Sequence, residues 1–334
     1  GEKGGDTTAA WRNANGREVE WLTFGVDALH ERVFREITLS EGVADVVFML
    51  ARYGGPHIAT YFKDLGAYQS NNPIPNFDDI SPGMRGTHTH GGKLIGIPFR
   101  HATHGLHYNE TLLKERGFEG PPKTFAEFVA YAEKLTYTRG DGTKVHGWVT
   151  GGMRPTNLMD FIRMNGGEFI DGKMKVRIDE PASVEAVAKM RDFFKSGVLP
   201  KGMPTFKTEN VMTYMQQGRA AMALYPFSRN KRFNDPKKSK FPGQIKVTFI
   251  PTTDGSPAPA KTSVWAMGIP SNSKNKDLAW KFIKQLSLPE STVAQALNGN
   301  GPTRMSTYDN AKVKASVSYA TDEKIVLKGA RLPM

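Results

Sequence analysis

The chain has 334 residues, of which 39% are hydrophobic and 23% charged. These fractions suit a folded protein and exclude a disordered one, and the length exceeds what one core usually serves, so two lobes are expected. No apolar run approaches the ~20 residues that a membrane-spanning helix needs. The formal net charge of +12 would attract polyanions, but the densest basic block, RNKRFNDPKKSK at 229–240, is a Pro-broken loop. No helix-turn-helix, zinc-finger or RNA-binding signature accompanies it, so no nucleic-acid partner is expected.

From the N-terminus, VEWLTF at 19–24 reads as a strand and 27–38 as an amphipathic helix with Leu29, Val33, Phe34 and Ile37 inward. Residues 44–50, ADVVFML, form a continuous apolar run that reads as a central parallel strand, with Asp45 as a structural acid near its entry. This β-α-β alternation predicts α/β architecture. Helix resumes over 55–65, and 71–87, with Pro73, Pro75, Pro82 and Gly83, is a long irregular connection.

Residues 91–128 string together a strand (LIGIPF), a second extended segment (GLHYN) and a helix over 124–136, the arrangement of a hinge beside a ligand cleft. Thr124 and Glu127 have capping-box spacing, and Phe125, Phe128, Val129, Ala132 and Leu135 form the apolar face. A strand is predicted at 146–150, a helix over 156–164, a small hairpin flanking Asp171-Gly172, and helices over 182–196 and 208–217. A buried strand at 220–225, strands near 245–251 and 263–269, helices over 276–286 and 289–297 and a Gly/Asn/Pro turn at 298–303 complete the order.

Six fragments then form one pattern: ADVVFM, GKLIGIPF with LHYNETLLKERGFEGPPKTFAEFVAYAEKLT, MNGGEFID, MQQGRAAMALYPF, VWAMGIPSNSKNKDLAWKFIKQLS and NGNGPTRMS. In that order, from about residue 19 to residue 310, the chain resembles extracellular solute-binding proteins of family 1, the sugar-binding receptors of ABC importers. The resemblance implies an α/β, two-lobed periplasmic-binding-protein-like fold with a ligand cleft between the lobes, hinge closure on the ligand, and three crossings near 106–110, 261–266 and 302–306. Lobe 1 would be 1–108 with 265–303, and lobe 2 would be 109–264 with 304–334. VEWLTF corresponds to the family's second strand, and the chain stops at Ala330-Arg331-Leu332-Pro333-Met334 where the family continues, so it reads as shortened at both ends. The function implied is capture of a sugar or sugar-like solute for a membrane permease, by a monomer in the periplasm. Zero cysteines are compatible with export.

Sugar recognition needs aromatic faces for ring C–H surfaces and planar polar groups for hydroxyls. Trp265, at a predicted crossing, is the first candidate for stacking, and Tyr225 resembles the family's cleft-facing aromatic. Trp148 and Thr150 precede the Gly151-Gly152 loop, whereas Trp11 and Trp21 are assigned to structure. Arg304 follows the NGNGPT turn, where it would grip vicinal hydroxyls or a carboxylate, or else form an interlobe salt bridge. Arg52, Arg100 and Arg154 follow predicted strands, which raises the alternative of a sugar phosphate or sugar acid as ligand.

Five of the eight histidines, His88, His90, His101, His104 and His107, fall within twenty residues. Without a cysteine, an HEXXH or a known metal spacing, His101 and His104 read as hydrogen-bonding cleft residues and no metal or cofactor is expected. There is no GXSXG, no P-loop and no GXGXXG after a strand, so the chain reads as a non-enzyme. A carbohydrate-active enzyme with an unmarked carboxylate pair is the competing class.

Overall fold

The computed structural model describes residues 4–40 and 42–329. The architecture is α/β, and the chain divides into two compact units, Gly1–Ala102 with Ser263–Ala320 and Thr103–Thr262 with Thr321–Met334. The chain therefore changes unit three times, at 102/103, 262/263 and 320/321. Residues 304–320, expected in the second lobe, group with the first unit instead. Residues 330–334 lie outside the described residues, as does any reading of that end.

The described residues form nine strands: β1 Val47–Leu50, β2 Thr89–His90, β3 Lys93–Leu94, β4 Ile97–Asn109, β5 Tyr137–Thr138, β6 Lys144–Val149, β7 Ala220–Pro226, β8 Ile245–Thr248 and β9 Thr262–Gly268. The end of LIGIPF, from Ile97, and GLHYN, expected as separate extended segments, join in the single 13-residue strand β4 that carries the chain from the first unit into the second, whereas Leu94 falls in β3.

In the first unit β1 pairs antiparallel with β9, Leu50 opposite Trp265 and Val47 opposite Gly268. The expected central parallel strand is thus antiparallel, and among the described residues β9 is its only strand partner. The predicted strand 19–24 is irregular. Trp21 is 54% exposed, with Leu22 and Phe24 exposed beside it, and among the described residues no strand pairs with that segment. The apolar run alone could not show which edges would find partners. Residues 55–65 hold only a 3₁₀ turn, Ala59–Tyr61, before a helix at Gly66–Asn71. The predicted helix 276–286 is observed at Lys276–Leu286, where Trp280, Phe282, Ile283 and Leu286 pack with Trp11, Leu65, Ile97 and Met267. Asp45 lies exposed ahead of β1 and accepts hydrogen bonds from Ser273 and Asn275.

In the second unit β7 lies between β4, to which it is antiparallel, and β6, to which it is parallel; β8 pairs with β4 and β5 with β6. Parallel β6 and β7 are almost wholly buried, which is why both read as continuous apolar runs. The helix Phe125–Lys134 starts as its sequence dictates: Thr124 accepts the Glu127 N–H at 3.2 Å, and the Glu127 carboxylate reaches back to the Lys123 N–H at 2.7 Å. This helix lies so close to β6 that a Cβ on Gly147 would sit 1.8 Å from the Ala132 carbonyl oxygen. The hairpin expected around Asp171-Gly172 reduces to a single bridge, Ile170 to Val176. No helix of the described residues is long and apolar enough to cross a membrane.

Candidate functional site

In the first unit, the end of β1 and the turn Ala51–Tyr53 bring an aromatic cluster to Trp265. Trp265 is half-buried, opposite Leu50 on β9, so part of its ring is accessible. Arg100, from β4, stands over this ring at 5.0 Å, and the His30 ring lies 5.7 Å away. His30 is locked: its Nδ1 donates to the Val26 carbonyl at 2.7 Å and its Nε2 accepts the Leu50 N–H at 3.0 Å. Burial pushes its pKa down, which keeps the ring neutral as that bonding requires. Tyr53 stacks on His30 at 3.9 Å, with the Arg52 guanidinium 4.8 Å above Tyr53 and the Tyr53 hydroxyl donating to Asp27. Flat apolar faces edged by guanidinium donors are what a polyhydroxylated ligand presents surfaces to.

In the second unit, Tyr225 is the penultimate residue of β7 and is half-buried, its hydroxyl donating to Thr208 at 3.0 Å. Its ring lies 5.9 Å from His104 and against Gly151, where an added Cβ would meet it at 3.4 Å. His104 Nδ1 donates to the buried Asp160 carboxylate at 2.6 Å, and the other Asp160 oxygen accepts the Lys261 N–H at 2.8 Å. Burial pushes the His104 pKa down against the pull of Asp160, so the neutral ring leaves Nε2 as an acceptor. Lys261 Nζ donates to Asn157 at 3.0 Å, and Asn157 donates to the Gly151 carbonyl. A close approach fixes the backbone here. A Cβ on Gly105, opposite Tyr225, would fall 2.7 Å from the Phe227 ring and 2.8 Å from the Thr248 carbonyl.

Four predicted ligand residues are placed elsewhere. Trp148 is fully buried and stacks on Phe161 at 4.8 Å, with Phe128 and Phe193 edge-on, so it is a core residue. Thr150 is buried with it. His101 is fully buried and hydrogen-bonded to the Tyr308 hydroxyl at 2.8 Å. Arg304, 0% exposed, donates to the carbonyls of Ser287, Asn76 and Pro75 at 2.9, 2.6 and 2.7 Å, a clamp within the first unit in place of a ligand contact. Arg154 is exposed at the start of the helix Pro155–Met164. Among the described residues, no group of three or more His, Asp or Glu side chains is placed to hold a metal ion. His88 and His107 are buried, and burial depresses their pKa values to about 4 and about 3.

The sequence reading missed His30, Tyr53, Asn157, Asp160, Lys261 and Arg229. The first five become visible only through contacts between distant segments. Arg229 was legible as the fourth residue after Tyr225 but was absorbed into the basic block 229–240, read as a Pro-broken loop. A cavity of about 460 Å³ lies elsewhere in the first unit, along β1 and residues 18–24, lined by Trp11, Trp21, Phe24, Phe48 and Phe282; it contains none of the predicted ligand residues.

A family model described as bacterial extracellular solute-binding protein matches residues 6–293. Over 294 residues the chain is 24% identical to a probable ABC transporter-binding protein of Deinococcus radiodurans, a match covering 78% of this chain and 69% of that protein. Over 292 residues it is 25% identical to an erythritol/L-threitol-binding protein of Mycolicibacterium smegmatis, covering 78% of this chain and 58% of the relative. The structure of maltose-bound MalE3 of T. maritima superposes with a TM-score of 0.85 at 25% identity, over 98% of this chain and 84% of that one. The fold is that of the two-lobed periplasmic binding proteins.

Proposed function

The chain belongs to the bacterial extracellular solute-binding protein family, and on that premise we propose that it captures a sugar or polyol for an ABC importer by binding alone. The observation that carries this reading is the half-buried Trp265 ring with the Arg100 guanidinium over it, beside the locked His30–Tyr53 stack. Such a surface offers stacking and hydrogen bonding together and needs no nucleophile or acid-base pair. Arg52 contributes from the same turn. Within the second unit, Tyr225 offers an aromatic face and His104 an oriented acceptor, with Arg154 at the edge of the Gly151-Gly152 loop.

The ligands of similar proteins set the first screen, since erythritol and L-threitol are bound by one and maltose by another. On the same premise we propose a membrane permease of an ABC importer as partner, a monomeric state, and a periplasmic or extracellular location. The test is thermal denaturation with erythritol, L-threitol, maltose and further polyols. A ligand at 100 times its dissociation constant adds about 2.7 kcal/mol to the folded state. Trp265→Ala is expected to remove that gain while the unliganded midpoint stays within a few degrees. A bound ligand recovered chemically altered after incubation would overturn the binding-only reading, and an unchanged ligand-induced shift in Trp265→Ala would remove Trp265 from the site.

A further inference from the structure

Arg229 is half-buried, yet among the described residues its guanidinium makes no hydrogen bond and no ion pair. The carboxylate in range is already engaged: Glu209 accepts from Arg232 at 3.1 and 3.2 Å. A partly desolvated cation without a direct ion pair is a cost to the fold, and burial pushes the Arg229 pKa down, with Glu209 only partly opposing it.

The segment that carries this side chain is, by contrast, held firmly. Neutral His107 donates its Nε2–H to the carbonyls of Tyr225 and Pro226 at 3.2 and 3.1 Å, fixing the end of β7. Phe227–Arg229 forms a 3₁₀ turn that runs into Asn230, whose side chain donates to the Ile245 carbonyl at 2.9 Å. Asn234 ties to the same carbonyl at 2.7 Å. Both ends of the turn are pinned, and the charge of Arg229 is felt at the Tyr225 phenol. A rigid backbone thus holds an uncompensated fork of donors beside an aromatic face and within one unit of the oriented His104 acceptor.

We propose that Arg229 is an oxyanion subsite, which grips a carboxylate or phosphate on the ligand while the Tyr225 ring and His104 Nε2 take the polyol portion. The preferred substrate class is then an anionic sugar or polyol derivative rather than a neutral one. This rests on the reading that the chain binds a sugar or polyol. The fork geometry of guanidinium matches both anions, and the missing counterion would be supplied by the ligand at the moment of binding.

The experiment is calorimetric titration with matched neutral and anionic ligands (erythritol, erythronate and erythritol 4-phosphate; glycerol, glycerate and glycerol 3-phosphate), with inorganic phosphate alone, on the parent, Arg229→Gln and Arg229→Lys. The parent should prefer one of the two anionic series, and which one identifies the group recognised. Arg229→Gln should weaken the anionic ligand about 10- to 100-fold and the neutral one less than about twofold, with Arg229→Lys between. The unliganded Arg229→Gln protein should melt at the parent temperature or above, because a partly desolvated charge without an ion pair has been removed; a clear fall would instead mark a structural arginine and overturn the proposal. Parent protein that binds neutral polyols but no anionic partner, or equal weakening of both classes in Arg229→Gln, refutes the subsite and leaves the importer reading standing. Absence of binding by every ligand refutes both.

Discussion

Arg304 offers the sharpest test of the assignments, because its position beside the NGNGPT turn suggested ligand contact and its surroundings assign it to the frame. All three of its donating nitrogens are committed to backbone carbonyls of Pro75, Asn76 and Ser287, and Asp79 lies 3.6 Å away. Hydrogen bonds from a charged donor contribute roughly 1.5–3 kcal/mol each, but desolvation of the guanidinium offsets much of that sum. Removing one partner of such a buried charged network costs about 3–5 kcal/mol, since three carbonyls and a carboxylate lose their donor. In a unit of this size each kcal/mol moves the midpoint by about 2–4 °C, so Arg304→Ala should melt roughly 10 °C below the parent. Arg304→Lys keeps the charge but not the fork, and should recover only part of the loss. Differential scanning fluorimetry gives both midpoints, and calorimetric titration below the variant's melting range gives ligand affinity, expected to be unchanged. A variant that melts within about 2 °C of the parent, as expected of a residue without this structural role, and that no longer binds ligand would return Arg304 to the binding site and refute the argument.

Acid should destabilise the second unit through His107. Its pKa falls from an ordinary 6.5 to about 3 on burial, so between those values the unfolded chain binds a proton that the folded one does not. Stability is therefore full above pH ~6.5 and declines as the pH drops, by about 2 kcal/mol at pH 5 from this residue. Urea unfolding at pH 7.5, 6 and 5 should show a shallower pH dependence in His107→Gln than in the parent, and identical slopes would count against the buried neutral imidazole. Gly147→Ala should cost about 3 kcal/mol or more, because the new Cβ meets the Ala132 backbone rather than a side chain that can move; a midpoint within 2 °C of the parent would mean that helix Phe125–Lys134 can yield. Thr124→Ala, which removes the acceptor for the Glu127 N–H, should cost about 1 kcal/mol, and a double-mutant cycle with Glu127→Ala checks the reciprocal cap, with simple additivity arguing against it.

What the sequence by itself determined is whatever depends on near neighbours along the chain. The helix after Thr124 was legible because its cap, its returning carboxylate and its apolar face lie within a dozen residues. Lys276–Leu286 and the buried runs of β6 and β7 were legible for the same reason, their periodicity being a local property. Six fragments in order carried the family and with it the two-lobed α/β fold.

Only the tertiary structure decided which edges and which polar groups found partners. VEWLTF has the composition of a strand but no described strand beside it, and ADVVFML became an antiparallel pair with β9 rather than a central parallel strand. Trp148 and Trp265 are both tryptophans within strands, yet Phe128, Phe161 and Phe193 enclose one while the other stays half-buried with Arg100 over its ring. Arg304 and Arg229 are equally charged in the sequence. One is saturated by three carbonyls more than two hundred residues or seventeen residues away in the chain, and the other has no ion pair among the described residues. Hydrogen bonding and desolvation are settled by atoms that meet in space, so the chain's near-neighbour order could name these residues but could not say which of them the fold consumes and which it leaves for a ligand.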